Sequence, residues 1–299
     1  MSLSTDTNRL LTGFIGQGFV GKAHADDFVA RGIPVVRYAK EEPYRGNREA
    51  VAACEVVFIA VPTPTTPRGF DLSIVESVIP LTAPGATVVV RSTILPGSTE
   101  DLAEKFPDRF LMHAPEFLRE ASAAEDAAHP ERVIIGMAKD TSEYRAKAEA
   151  VRALLPAAPF SRIVPARTAE LVKYAGNAFL YQKVVFANLL YDLSLALAVP
   201  YDELAVLLAA DPRVGSSHLA VAHASGHTEE AGRGAGGHCF IKDFEALRRL
   251  YAARVGDRAG DTLLSAFVAK NNALLRGSGK DLDLLAGVYG AVSAEPITA

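Results

Sequence analysis

Cysteine is scarce: only Cys54 and Cys239 occur, too few for a disulfide framework, so a reduced, cytoplasmic compartment is expected. No excess of positive charge exists either. A net charge of -4 and a pI near 6.0 leave no electrostatic footprint for nucleic acid and no basic run for a membrane surface. Long apolar runs are missing too. The most apolar stretch, 184–199, is interrupted by Asn188 and Asp192 and reads as a buried helix, so no membrane span is expected. The first residues, MSLSTDTNRLL, lack a charged-then-apolar signal pattern. Internal repeats and low-complexity blocks are absent, and no metal-ligand spacing is expected.

The length of 299 residues suits two domains with a core in each. The first half alternates strand and helix, which predicts an α/β fold built on a doubly wound parallel sheet of the Rossmann type. Strands are expected at 10–15, 34–38, 56–61, 87–91, 110–113 and 132–137, and helices from the Gly16–Gly21 turn to Arg31 and over 141–155. Asp71 is expected to cap a short helix. Between the first strand and helix stands Gly16-Gln-Gly-Phe-Val-Gly21, a dinucleotide-binding fingerprint in its proper context. Gly16 makes the tight turn, Gly18 lets a pyrophosphate approach the backbone, and Gly21 brings helix against strand. The phosphates would rest on the helix N-terminus, where unpaired N–H groups and the dipole favour anions.

One companion of that fingerprint is missing. The region 36–42, Val-Arg-Tyr-Ala-Lys-Glu-Glu, has no carboxylate at the strand tip to grip ribose hydroxyls. Arg37, Lys40 and Arg45 could meet a 2′-phosphate or be solvated loop charges, so NAD and NADP both stay open. Three loops, Pro62–Pro67, Ser92–Gly97 and Pro115–Glu120, follow strands at their C-terminal ends, where ligands bind in such sheets. Glu116 and Glu120 are spaced i, i+4. On a helix they would share a face, suited to general acid/base work or simply solvated.

The pattern changes near Pro165, which places a domain boundary at 166/167 and a helical domain over 167–299. From Thr168 to Val199 the only helix breaker is Gly176, predicting one helix of roughly 45 Å at 1.5 Å per residue, ended by Pro200. Such a helix suits a domain connection or a subunit interface, and a homodimer through it is expected. It carries Lys173 and Asn177 on one face. Further helices are expected at 201–210, 242–253 and 261–275, with a loose tail from about Ala291. Before the second of these helices stands Gly234-Ala-Gly-Gly-His-Cys-Phe-Ile-Lys-Asp243. A thiol attacks only as thiolate, which a helix N-terminus and a nearby lysine favour. Glycine-rich sequence with Cys239, Lys242 and Asp243 at this spacing is a poor way to build a core.

The stretches GFIGQGFVG (13–21), VFIAVPTPTTP (57–67), STILPG (92–97), PEFLREASAAED (115–126), HPERVIIG (129–136), ELVKYAGN (170–177) and GGHCFIKD (236–243) together resemble the UDP-glucose/GDP-mannose dehydrogenase family. Its members oxidise a sugar C6 alcohol to the carboxylate with two NAD+. The resemblance implies that Cys239 is the nucleophile, holding the aldehyde as a thiohemiacetal and then as a thioester. Lys173 and Asn177 would steady the oxyanion, and Asp243 and Thr93 would hold a water and move protons. Glu120 would assist thioester hydrolysis, supported by Glu116. Phe117, Leu118, Gly236 and Lys242, with Glu116, Lys173 and Asn177, would hold the substrate, a sugar nucleotide. Gly16, Gly18, Phe19, Val20, Gly21, Pro62, Thr63, Thr93 and Glu120 would bind the cofactor.

Family members usually continue into a C-terminal domain that binds the nucleotide half of the substrate, and that domain is not expected here. Arg91 stands where a lysine is common, and the stretch 229–235 lacks the family's usual aromatic. Two alternatives stay open. One is a two-electron hydroxyacid dehydrogenase, which has no task for Cys239. The other is an NAD-binding homologue without catalysis.

Overall fold

The computed structural model describes residues 10–290; the loose tail expected from about Ala291 lies outside them. In chain order the elements are β1 (Thr12–Ile15), α1 (Phe19–Ala30), β2 (Val35–Tyr38), α2 (Arg48–Val51), β3 (Val56–Ile59), β4 (Thr65–Thr66), β5 (Gly69–Phe70), α3 (Ser73–Val78), β6 (Thr87–Val90), α4 (Ser98–Lys105), β7 (Phe110–His113), α5 (Ala123–Ala128), β8 (Arg132–Met137), α6 (Ser142–Leu154), β9 (Phe160–Pro165), α7 (Ala166–Ala196), α8 (Tyr201–Ala209), β10 (Ala222–His223), β11 (Gly232–Arg233), α9 (Gly237–Arg254), α10 (Arg258–Ser278) and α11 (Leu282–Tyr289). The chain forms two compact units. Among the described residues, one comprises 10–63 and Asp71–Lys173; the other comprises Pro64–Phe70 and 174–290.

The first unit is a Rossmann-type sheet in the order β2-β1-β3-β6-β7-β8-β9. It is parallel from β2 to β7; β8 pairs antiparallel with β7, and β9 parallel with β8. The four-residue strands β1, β3 and β6 are buried throughout, as helices on both faces require. Phe14, Phe28 and Phe58 meet at centroid distances of 4.9–5.3 Å and fasten α1 to β1 and β3. Asp71 accepts the Ser73 N–H at 2.8 Å just ahead of α3, and Thr141 caps α6 by accepting the Tyr144 N–H. Strand β9 and the short helices α2, α4, α5 and α11 were not foreseen.

The second unit is helical. Tyr181 of α7 stacks on Phe244 of α9 at 4.0 Å, beside Ala178, Val184 and Val185. Ile241, Leu275, Leu285 and Val288 join α9, α10 and α11. The hairpin β4–β5 belongs here, held where Arg249 of α9 donates to the Thr66 carbonyl at 2.7 Å.

Three expectations are corrected. Helix α7 stops at Ala196 rather than at Pro200: Ala198 turns left-handed at φ 55°, and the Val199 N–H closes back on the Ser194 carbonyl, a C-terminal cap without glycine. Helix α9 begins at Gly237, not Lys242, so Cys239 stands inside its first turn. Glycine at N1 was read as loop, but a buried carboxylate holds it there. Residues 114–119 are not helical, and Glu120 opens a short 3-10 turn over 120–122, so Glu116 and Glu120 share no helix face. The Glu116 carboxylate accepts the Leu118 N–H at 2.7 Å, a local turn that competes with helix.

Candidate active site

The turn after β1 does what its glycines suggest. Gly16 is left-handed at φ 91°, and a Cβ there would lie 2.2 Å from the Ala60 carbonyl oxygen. A Cβ on Gly21 would come within 2.0 Å of the Gly16 carbonyl oxygen, whereas one on Gly18 would meet nothing within 4 Å. Gly16 and Gly21 are therefore demanded by packing, and Gly18 faces open space. The first turn of α1, with Phe19 and Val20, has no side-chain cap and no acidic residue. Its N–H groups are set to receive an anion, so the residues present fit a dinucleotide pyrophosphate.

Two neighbouring loops are zipped together. The Ser92 hydroxyl accepts the Val61 N–H at 3.0 Å and donates to the Val61 carbonyl at 2.7 Å. Thr63 donates to the Thr93 carbonyl at 2.7 Å, and both threonines are buried. Pro62 between them is exposed. Arg37, a candidate for a 2′-phosphate, is instead paired with Asp26 of α1 at 2.6 Å. The signal for that partner lay in the i, i+4 pair Lys22–Asp26.

In the same unit Lys173 Nζ donates to Glu116 Oε1 at 2.9 Å, both side chains 7% exposed. Phe117 stacks under the Arg132 guanidinium at 3.8 Å. Phe117 and Leu118 line a cavity of about 920 Å³ with His24, Arg91, Pro115 and Arg132. Arg91 donates from Nη2 to His24 Nε2 at 2.8 Å, and burial, opposed by the charge of Glu116, pulls its pKa down to about 10. Glu120, assigned by resemblance to hydrolysis, is exposed on its 3-10 turn. Glu170 was missed by the sequence reading. It is fully buried and takes the N–H groups of Gly97 and Thr99 at 2.6 and 2.8 Å, joining the 92–97 loop to α7 as a remote cap for α4. A carboxylate one turn before Lys173 was the only signal for it.

Burial makes this unit sensitive to acid. His113 has its pKa pushed down to about 3, by burial first and then by the charge of Arg91; His24 is lowered by burial and Arg91 as well. Both are neutral when folded, while an exposed imidazole takes a proton near pH 6.5. The unfolded chain therefore binds more protons below that value, and stability present above pH 6.5 is lost as pH falls towards 3. The melting temperature should hold down to about pH 7 and decline from about pH 6.5, with His113→Gln flattening the decline. A flat profile down to about pH 4.5 would contradict this assignment.

The second unit gathers another set. Asn177 Nδ2 donates to Asp243 Oδ2 at 2.6 Å, and Lys242 Nζ to Asp243 Oδ1 at 2.5 Å. Asp243 is 1% exposed. These residues occupy α7 and the second turn of α9, and Cys239, half-buried, stands in the first. Gly236 is the N-cap of α9, extended at φ -110°. The structure thus joins Glu116 with Lys173 in one unit, and Asn177 with Asp243 and Lys242 in the other. Among the described residues no group of three His, Cys, Asp or Glu side chains is placed to hold a metal ion, and no helix is long and apolar enough to cross a membrane.

Known proteins resemble this chain along most of its length. The UDP-glucose/GDP-mannose dehydrogenase family matches through its NAD binding domain at residues 39–154, beginning after the Gly16–Gly21 turn, and through its central domain at 167–273. A UDP-glucose 6-dehydrogenase of Rhizobium meliloti (strain 1021) is 39% identical over 217 residues, covering 67% of this chain and 46% of that protein. The UDP-glucose 6-dehydrogenase YwqF of Bacillus subtilis (strain 168) is 30% identical over 300 residues, covering 91% and 64%. This chain therefore spans about half of the first relative and less than two thirds of the second. A solved UDP-glucose dehydrogenase from the hyperthermophilic archaeon Pyrobaculum islandicum superposes with a TM-score of 0.77 at 28% identity, covering 92% of this chain and 71% of that one. A UDP-D-ManNAc dehydrogenase from Pyrococcus horikoshii shares the fold, with a TM-score of 0.74 at 22% identity over 90% of this chain. With two successive domains of one family matched in order along a sheet and helices of this topology, the chain belongs to the UDP-glucose/GDP-mannose dehydrogenase family.

Proposed function

We propose that the protein oxidises the primary alcohol of a sugar nucleotide of the UDP-glucose kind to the carboxylate, in two hydride transfers, with Cys239 as nucleophile. The observation that carries the reading is Cys239 in the first turn of α9, with Asp243 one turn on, hydrogen-bonded to Asn177 and Lys242. A single hydride transfer has no use for a thiol; retaining an aldehyde for a second oxidation does.

NAD, held at the Gly16–Gly21 turn with Phe19, Val20, Pro62, Thr63 and Thr93 alongside, supplies the hydride acceptor for each oxidation. The pairing of Arg37 with Asp26 supports NAD over NADP. For the first oxidation, Asp243 accepts the alcohol proton by way of a water, with Thr93 assigned to help hold that water. The Cys239 sulfur then bonds to the aldehyde carbon while the carbonyl oxygen takes a proton, giving the thiohemiacetal. Loss of hydride and proton leaves the thioester, and water, with help from Glu120, releases the acid and restores the thiol. Lys173 and Asn177 are donors for the oxyanion that develops in these steps. Glu116 holds Lys173 by its ion pair, and Phe117, Leu118, Gly236 and Lys242 are the substrate contacts.

The test is the NADH yield on UDP-glucose. Two NADH per sugar nucleotide consumed are expected. One would point to a two-electron dehydrogenase, and none, with NAD bound tightly, to a homologue without catalysis.

The reading includes a homodimer. On α7, Phe179, Phe186, Leu189 and Leu193 are 69, 56, 43 and 54% exposed at spacings that place them along one side of a helix. Such a stripe meets its own copy in an isologous contact. A dimer at micromolar concentration in light scattering is expected, with Phe186→Glu shifting it to monomer. A wild-type monomer would remove this part of the reading.

A further inference from the structure

The segment that leads into α9 is gripped by side chains the proposed chemistry does not use. Asn271 of α10 brackets Ala235, accepting its N–H at 2.7 Å and donating to its carbonyl at 3.0 Å. Lys280 Nζ donates to the carbonyls of Gly234 at 3.0 Å and Gly232 at 3.3 Å. Asp281 Oδ2 accepts the N–H of Gly237, the first residue of α9, at 2.7 Å, and its Oδ1 accepts the Ser225 hydroxyl at 2.8 Å.

Lys280 and Asp281 are 3% and 2% exposed. Burial draws the Lys280 ammonium down to about 8, with Asp281 opposing. Charges are expensive to bury, and packing alone would be met as well by apolar side chains. These two are directed at one stretch of backbone instead. They also account for a glycine: a Cβ on Gly236 would lie 2.0 Å from Asp281 Oδ2 and 2.9 Å from Lys280 Cε. Both side chains stem from the turn between α10 and α11, where Gly279 and Asp281 are left-handed at φ 70° and 52°. That turn lies past residue 273, where the match to the family's central domain ends.

We infer that Lys280 and Asp281 are positioning residues for Cys239, fixing the backbone of Gly232–Gly237 and the first turn of α9 so that the sulfur meets the aldehyde carbon before the aldehyde escapes. The inference rests on Cys239 being the nucleophile, as proposed above. Loosening the grip leaves the first oxidation, which does not use the sulfur, and weakens the second.

The test compares Asp281→Gly, which removes the carboxylate while keeping the left-handed turn unstrained, with Asp281→Asn, which retains an acceptor for the Gly237 N–H and tolerates that backbone. The NADH yield per UDP-glucose consumed should fall from two towards one in Asp281→Gly and stay near two in Asp281→Asn. Iodoacetamide alkylation of Cys239, referenced to buried Cys54 by mass spectrometry, should rise about tenfold in Asp281→Gly and stay within about twofold of wild type in Asp281→Asn, as expected for one lost charge-assisted hydrogen bond. Lys280→Met, matched in length, gives a second reading in the same direction if Asp281→Gly does not fold. A role limited to stability would lower the amount of folded protein without moving the yield, so a yield that stays at two in Asp281→Gly overturns the proposal. If Cys239→Ser also yields two, the nucleophile reading falls and the proposal with it, and the alkylation rates then report on the grip alone.

Discussion

Cys239→Ser is expected to stop after one NADH per sugar nucleotide, with the second oxidation slowed ~10³-fold or more. The reason is chemical. After the first hydride leaves, the carbon is an aldehyde and has to become tetrahedral, bearing a hydrogen, before a second hydride can depart. A thiolate adds readily and later leaves as thiolate; a serine hydroxyl, far less acidic than a thiol, forms little alkoxide and is a poorer nucleophile and leaving group. The molecule provides its own control. The other thiol, Cys54, is 2% exposed and its pKa is pushed by burial up to about 11, so it is inert at neutral pH. Stoichiometric iodoacetamide should therefore modify Cys239 and reproduce the serine phenotype. Full four-electron oxidation by the serine variant would rule out sulfur as the carrier.

The second large effect concerns the buried pair Lys173–Glu116. Replacing Lys173 by Met leaves the Glu116 side chain, 6% exposed, with the Leu118 N–H and the more distant charge of Arg91 but without its ion-pair partner. Breaking one side of a buried ion pair destabilises by about 3–5 kcal/mol, whereas replacing both sides is often close to neutral. Denaturant unfolding should show that loss for Lys173→Met and recovery of most of it in Lys173→Met/Glu116→Gln. A single variant within about 0.5 kcal/mol of wild type would mean the pair is not isolated from water. This has a bearing on function, because lost activity in Lys173→Met alone would mix misfolding with loss of an oxyanion donor. The double variant separates them: it restores the fold and, on the proposed mechanism, not the rate.

Parts of this molecule were plain in the chain itself. The Rossmann sheet follows from short, largely apolar strands alternating with helices and punctuated by glycine and proline, and the Gly16–Gly21 turn from steric needs that operate within a few residues. The 31-residue helix α7 shows itself by the near-absence of breakers, and Cys239, Lys173, Asn177 and Asp243 stood out by residue type and spacing. Spacing could not say what each side chain would meet. Reading Glu116 and Glu120 as a carboxylate pair on a helix assumed regular backbone, whereas a buried lysine and the Leu118 N–H hold Glu116 in an irregular loop. Arg37 found Asp26, and Glu170 caps a helix about seventy residues earlier in the chain.

The start of α9 at Gly237 was illegible because its capping carboxylate, Asp281, lies 44 residues further on. Local sequence determined where the chain could be helix, strand or glycine turn, since propensity, periodicity and sterics act over a few residues. Tertiary structure alone decided which buried charges face one another and how the backbone around Cys239 is held, because a buried polar group must find its partner wherever the fold brings one.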